Sequence, residues 1–410
     1  MRAPIDVVTE AGAAAVAAAE TVAEELAPGA GERDRRAVAD PEVGRLLARR
    51  LGGLTTPVDL GGGGVDRLVD LMVVAERVAR ADGSASLLTT MHLSATWGLS
   101  RRWAATSGTV ADPDDPLGRL LAGATDGDVW ICAAVTEPGT NFFHPTTVLR
   151  PDGDGWVLDG SKAFATGSPV ATHLLTHARG EGGDHDGRLV TVVVPVGAPG
   201  VAVHDDWDGL GMRSSGSGRV TLEDVRLDGG TIVLGGGPVG AFSAGALCGR
   251  AFGNVANLAA MAGLAEAGRD LAVGHVRRAG RVGEVSLAAR APVRQAVGEL
   301  DVELGVCRAA LAAIGDEADE VADGGALDLD GAHAFMASFQ AAKLTVNRSS
   351  VDVVDRAMHL AGGGSYTAGH PLARIYRDVR AGAYMQPFSA HEAAAYIGAV
   401  ATGVDPDVRA

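Results

Sequence analysis

Val135-Thr136-Glu137-Pro138-Gly139-Thr140 and Lys162-Ala163-Phe164-Ala165-Thr166 bracket the stretch whose reading decides the fold. Between them Trp156-Val157-Leu158 is flanked by Asp152-Gly153 and Asp159-Gly160, two tight-turn signals. Alone, Thr-Glu-Pro-Gly is an ordinary type II turn leaving a strand. It gains meaning from the second strand, which closes on an aromatic-x-Thr triplet. A flat, uncharged, electron-accepting ring needs main-chain donors and a hydroxyl at one edge. It also needs an aromatic wall against its face and a donor at its central nitrogen. These two segments carry all three.

The β pattern extends outward from there. Leu189 to Val194 is an unbroken run dominated by β-branched residues, as in a buried strand. Gly218 to Leu227 alternates less regularly through Val220, Leu222 and Val225, and Gly180 to Gly187 reads as an exposed loop. Residues 129–234 therefore form a middle β-domain. Residues 1–128 read as helical, with an Ala-rich first helix at Ala11 to Glu25 and a second over Val65 to Ala79 ending at Asp82-Gly83. Asp112-Pro113-Asp114-Asp115-Pro116 is a break. Residues 235–410 become helical again after Gly235-Gly236-Gly237-Pro238. Val293, Val297, Leu300, Leu304, Cys307, Leu311 and Ile314 alternate spacings of four and three, as do Phe335, Phe339, Ala342, Val346, Ser349 and Val353. Two long helices with a bundle seam follow, joined by an acidic connection over Asp316 to Asp330.

Composition narrows the function classes. The chain has 410 residues, enough for two or three packed units. It is 47% hydrophobic but only 4% aromatic, so Ala, Val and Leu build the core and helices approach closely. A net charge of −16 argues against a nucleic-acid partner, which needs clustered Lys and Arg. Cys132, Cys248 and Cys307 form no Cys-x-x-Cys pair, so neither a zinc site nor a disulfide framework is expected, and a reducing cytoplasm fits. His173 and His177 share a stretch without further ligands, which argues against a metal. Glutamates interrupt the Ala-rich start, so no membrane span or signal peptide is expected.

The order helices, compact β-domain, long-helix bundle resembles the acyl-CoA dehydrogenase family over nearly the entire chain. Three motifs carry the resemblance. The first is the Thr136-Glu137-Pro138-Gly139 turn with its partner Phe164-Ala165-Thr166. The second is Leu210-Gly211-Met212-Arg213-Ser214-Ser215, leading into Leu222-Glu223-Asp224-Val225. The third is Ala361-Gly362-Gly363-Gly364-Ser365-Tyr366, followed by Tyr376-Arg377-Asp378. The resemblance implies a mainly α fold: an N-terminal helical domain, a middle barrel-like β-domain and a C-terminal four-helix bundle. It implies FAD, with main chain at Val135 and the Thr136 hydroxyl at the flavin pyrimidine, Thr166 facing N5 and Phe164 on the ring. The Gly362-Gly363 turn, with His359 in place of the usual Gln, reaches in the family to the ADP half of FAD in a neighbouring subunit. Arg277 and Arg278 stand where a pyrophosphate-binding arginine occurs, or are solvated charges at a helix end. A homodimer or homotetramer is implied, with an electron-transfer partner.

The resemblance breaks at the base. Taking an α-proton from an acyl thioester needs a carboxylate. The position after Tyr376-Arg377-Asp378 holds Gln386, and the alternative position on the first bundle helix falls near Gly249-Arg250. His92, His391 and Glu392 are the remaining candidates. Phe142-Phe143 also replaces the small polar surface usual beside the thioester. Three readings follow. The first, placed foremost, is dehydrogenation of an acyl thioester with a displaced base. The second is oxygenation or N-hydroxylation of a small molecule, as in monooxygenases on this fold, with reduced flavin (FMN in place of FAD) from a reductase. The third is a catalytically silent flavin-binding homologue.

Overall fold

The computed structural model describes residues 6–106, 115–279, 281–282 and 285–406. Six helices come first: α1 Glu10–Leu26, α2 Ala30–Arg36, α3 Pro41–Leu51, α4 Leu68–Ala81, α5 Gly83–Thr106 and α6 Pro116–Asp126. Their starts follow from capping chemistry. Thr9 accepts a hydrogen bond from Gly12 N at the head of α1, and Asp115 accepts from Leu117 N and Gly118 N at the head of α6. Most of the expected Asp112–Pro116 break lies outside the described residues; Asp115 and Pro116 form its described end. Buried Asp70 of α4 in turn accepts from Val8 N and Thr9 Oγ1, which pins α1 to α4. Gly12 permits this approach, since a Cβ there would lie 2.1 Å from the Asp70 carboxylate.

Eight strands follow: β1 Ile131–Ala134, β2 Val148–Asp152, β3 Gly155–Lys162, β4 His173–Gly180, β5 Arg188–Pro195, β6 Val201–Val203, β7 Val220–Leu227 and β8 Val233–Pro238. They form one sheet in the order β6-β7-β3-β2-β4-β5-β8, with β1 pairing parallel to β4. The irregular alternation before Leu227 is a bulge. Leu158 pairs Val225 but Gly160 pairs Leu222, so β7 carries one extra residue. The glycine run at 235–238, read as a boundary, is instead part of β8. Gly235 pairs Val190, and a Cβ on Gly236 would press to 2.8 Å from Leu189 O.

Helix α7 Ala244–Arg278 opens the last unit. A short hairpin, β9 Arg281–Val282 and β10 Val285–Ser286, leads to α8 Ala291–Asp323, α9 Leu329–Ala361, α10 Pro371–Asp378 and α11 Ala390–Thr402. The alternating four-three seams are buried from Leu300 to Ile314 on α8 and from Phe335 to Val353 on α9. The acidic connection is shorter than expected, because α8 continues to Asp323. Asp319 lies inside it and accepts from Leu68 N and Val69 N, capping α4 from a neighbouring helix. One apolar cluster unites α1, α3, α4 and α5 with the C-terminal helices, and a separate cluster fills the sheet. No helix among the described residues is long and apolar enough to cross a membrane.

His92 joins three elements. Its Nε2 lies 2.8 Å from Gly52 O, its Nδ1 accepts from Ile131 N at 2.9 Å, and its ring stacks on Trp130. Those partners require neutral imidazole, and burial holds the pKa down at about 4 against the hydrogen bond to Gly52. The expectation that His92 serves the active site is therefore corrected: it is fully buried and bonded on both nitrogens. The unfolded chain takes up this proton near pH 6.5 and the folded chain only near 4, so stability is lost as pH falls through that window. The loss should approach about 3 kcal/mol. Urea unfolding midpoints of wild type should fall between pH 6.5 and 4, and those of His92→Gln should stay flatter over the same range.

Candidate active site

A cavity of about 790 Å³ opens between the sheet and helices α5 and α7. Val135, Thr136, Phe164 and Thr166 all line it. The two motif segments meet because their strand ends are bolted together. Ala163 N donates to Thr136 O at 2.9 Å. Beneath this bridge Lys162 Nζ, fully buried, lies 2.6 Å from Glu137 Oε1 and also donates to His177 O. The other oxygen of Glu137 accepts from the backbone and hydroxyl of Thr146. Burial alone would raise the Glu137 pKa, but the Lys162 charge and these donors hold it down at about 2. Burial lowers the Lys162 pKa against the pull of Glu137. The pair stays ionised because each charge is the other's only close counter-ion among the described residues.

The aromatic-x-Thr segment is bent sharply. Phe164 has φ of 52°, a strained conformation for an aromatic residue. Ala165 N donates to Gly218 O and Gly167 N to Ser215 O, which hold the bend. Phe164 stands exposed at the cavity rim, edge-on to Trp207 at 6.1 Å. Thr166 lines the cavity, and its hydroxyl is paired with Ser217 Oγ at 2.9 Å, itself 2.6 Å from Ser215 Oγ. The Leu-Gly-x-Arg-x-Ser segment thus backs the threonine. It is anchored from the C-terminal helices, where Asp378 accepts from Met212 N at 2.7 Å and Arg377 forms a two-pronged pair with Asp34. Burial raises the Asp378 pKa to about 6 against the nearby Arg374.

Helix α7 makes the room. Gly245, Gly249 and Gly253 recur every four residues, all line the cavity, and a Cβ on any of them would meet open space. Each gives up roughly 0.5–1 kcal/mol of helix stability relative to alanine. The four-residue spacing of these glycines is legible in the sequence, but only the packing of α7 shows that their shared face borders the cavity.

No aspartate or glutamate is among the described residues lining the cavity. Three arginines are. Arg377 is paired with Asp34 and Arg380 bonds Tyr376 Oη, but Arg250 has no carboxylate within ion-pair distance among the described residues. Gln386 lines the cavity as expected. Lys343 on α9 holds its segment by donating to the carbonyls of Met385, Pro387 and Phe388.

The other expected site residues lie elsewhere. Glu392 is corrected to a cap: it forms a capping box with Ser389 at the head of α11. His391 is exposed beside it and does not line the cavity. Arg277, His359, Gly362 and Gly363 are exposed at the ends of α7 and α9, also off the cavity. His177, dismissed as a strand histidine, lines the cavity, as does Phe142. Strand alternation could have placed His177, since its neighbours Thr176 and Ala178 face the core. No group of metal-ligating side chains occurs among the described residues.

Models of three acyl-CoA dehydrogenase domains match the chain: the N-terminal domain over residues 9–104, the middle domain over 132–225 and the C-terminal domain over 251–386. L-evernosamine nitrososynthase of a Micromonospora species is 38% identical, over 99% of this chain and 93% of its own. A solved structure of KijD3 in complex with FMN and dTDP-3-amino-2,3,6-trideoxy-4-keto-3-methyl-D-glucose superposes with a TM-score of 0.89 at 34% identity, covering 100% of this chain and 98% of that one. Butyryl-CoA dehydrogenase from Megasphaera elsdenii shares the fold, with a TM-score of 0.80 at 19% identity over 97% and 99% of the two chains.

Two substitutions check this geometry. Glu137→Gln leaves Lys162 buried without a counter-charge and should cost about 3–5 kcal/mol in chemical denaturation. In wild type, stability should also fall as pH drops from about 4.5 toward 2, where the unfolded but not the folded carboxylate takes a proton; Glu137→Gln should lack that limb. Gly249→Leu should stabilise or leave unchanged the helix while blocking the cavity, so that thermal stability holds and ligand binding, measured by calorimetry, falls at least tenfold.

Proposed function

The chain belongs to the acyl-CoA dehydrogenase family of flavin-dependent oxidoreductases, and from that premise we propose that it oxygenates the amino group of a nucleotide-linked amino sugar. The observation that carries this reading is the absence of any carboxylate from the described cavity lining. Both positions from which the family takes an α-proton are occupied by groups that cannot take one, Gln386 and Gly249-Arg250. This reverses the order drawn from motifs alone, which placed thioester dehydrogenation first. The similarity to the nitrososynthase and to the sugar-bound KijD3 structure supports the same choice.

The residues present fit a flavin. The cavity is large enough for a tricyclic ring beside a sugar, is walled mostly by apolar groups, and has Thr136 and Thr166 in its lining. The Thr166 hydroxyl keeps a free lone pair or proton after bonding Ser217, so it has capacity for one further partner. FMN suits this chain better than FAD. The similar KijD3 structure holds FMN, which supports that choice; His359, Gly362, Gly363 and Arg277 lie off the cavity, as either flavin allows when that turn serves a neighbouring subunit. Reduced flavin supplied by a reductase provides two electrons and activates dioxygen. The balance is amine plus dioxygen plus reduced flavin giving hydroxylamine, oxidised flavin and water; a second round gives the nitroso sugar and two waters.

The protein's own contribution is placement and exclusion. Val135, Thr136 and Thr166 would hold the flavin ring. Phe164 and Trp207 close the rim against water. The glycine face of α7 leaves a sugar-sized space opposite the ring, and Gln386 offers an amide to a sugar oxygen without removing a proton.

The test combines the protein, FMN, NADH, a flavin reductase, air and dTDP-3-amino-2,3,6-trideoxy-4-keto-3-methyl-D-glucose. Mass spectrometry should detect a product heavier by one oxygen that depends on the protein. Anaerobic bleaching of bound oxidised flavin by butyryl-CoA, with no oxygenated sugar in the first assay, would overturn the reading. Gln386→Glu should not create thioester-dependent bleaching, because the rest of the cavity lacks an acyl-CoA arrangement around Phe142.

A further inference from the structure

One corner of the cavity carries two buried polar atoms without a hydrogen-bond partner among the described residues, Arg250 Nε and His177 Nδ1. Phe142 lies between them. Arg250 Cζ sits 4.0 Å from the Phe142 ring centre, and the His177 ring packs edge-on to it at 4.6 Å. Arg250 is only 9% exposed. A buried guanidinium usually has a carboxylate beside it, because leaving it unpaired costs several kcal/mol. Such a cost persists where a function uses the charge.

The surrounding charges are all accounted for. From β3, Lys162 is neutralised by Glu137, which follows β1. From α9, the Lys343 ammonium is wrapped by carbonyls and feels both the Arg250 charge and that of Glu392 on α11. The corner is therefore net positive. Burial, then Arg250 and Lys162, hold the His177 pKa well below its ordinary value, against the pull of Glu137, so its imidazole is neutral. Burial likewise lowers the Arg250 pKa to about 10, which leaves it charged at neutral pH.

Resting on the amine-oxygenation reading, we infer that Arg250, His177 and Phe142 form the subsite for the reacting amine and hold it as the uncharged free base. A nitrogen attacks activated oxygen through its lone pair, and an ammonium has none to give. Yet a sugar amine, in or above the α-amino range near pH 8, arrives mostly protonated at pH 7. An ordinary amine site would hold that cation with a carboxylate. This corner does the opposite. It offers the ammonium no counter-ion, sets a fixed cation nearby, and its histidine is neutral and so supplies no compensating charge. A unit charge about 6 Å away in an effective dielectric of 20 lowers an amine pKa by roughly two. The ammonium proton leaves to buffer on binding, so the balance is protonated sugar plus protein giving neutral bound sugar plus one proton.

Proton release is measurable without turnover. Titration calorimetry of the dTDP-amino sugar into the FMN-loaded protein at pH 7, repeated in phosphate and Tris, gives the protons released from the dependence of heat on buffer. Wild type should release more than half a proton per sugar bound, and dTDP-glucose, which has no amine and no terminal phosphate, should release none. Arg250→Gln should cut the release by at least half and leave dTDP affinity within about twofold, and Arg250→Lys should restore it. The acid limb of kcat, which reports the bound amine, should move upward by about one pH unit or more in Arg250→Gln. Sugar binding by wild type without proton release would overturn the inference while leaving the oxygenation reading intact. A tenfold loss of dTDP affinity in Arg250→Gln would assign the arginine to the diphosphate and also overturn it. Failure of wild type to bind or oxygenate the sugar would sink the functional reading and this inference together. Because the release is first read in wild type, the result does not depend on a variant folding.

Discussion

The Lys162–Glu137 ion pair is the constraint on which the site depends. It is buried, it spans the ends of β1 and β3, and its lysine also holds β4 through His177 O. Those strand ends carry Val135 and Thr136 on one side and Phe164 and Thr166 on the other. A pair of ions taken out of water contributes little net stability compared with an apolar substitute. Its value here is geometric. Apolar contacts would let the two turns slide, whereas an ionised lysine with two oxygen partners fixes their separation. The strain at Phe164 persists for the same reason, since the surrounding bonds to Gly218 and Ser215 over-determine the bend.

Against that rigid wall, α7 supplies space and charge. Three glycines on one helical face hold the cavity open, and the next residue after the middle one, Arg250, brings a cation into it. A fold shared with a butyryl-CoA dehydrogenase here holds a cavity with no carboxylate among its described lining residues. Replacing the carboxylate by Gln386 removes a proton acceptor. Adding an unpaired arginine penalises bound cations. Both features bear on which protonation states the cavity tolerates and leave the framework unaltered, so the fold alone does not fix the reaction.

Several misreadings share one physical origin. His92 and Glu392 are polar residues that chain position placed near the site, and both proved to serve backbone: one pins Gly52 to Ile131, the other caps α11. His177 and Arg250 were passed over for the converse reason. A histidine on a strand and an arginine on a helix carry no signal of their own. Only the packing of β4 against α7 across Phe142 leaves Arg250 Nε and His177 Nδ1 without hydrogen-bond partners among the described residues. The run of glycines before α7 misled as well, since glycine marks a boundary in sequence but here lets β8 lie close to β5.

The amino-acid sequence by itself determined the order of helices, sheet and bundle, the buried seams of α8 and α9, and the two threonine-bearing turns. Those features are local periodicities and turn chemistries, encoded within a few residues of one another. It also determined that the expected base is missing, because a glutamine is legible wherever it folds. Tertiary structure alone decided which polar groups face the cavity and which are satisfied elsewhere. That is a matter of distances between residues far apart in the chain, such as Phe142, His177 and Arg250, and no local pattern records whether a buried charge has found its counter-ion.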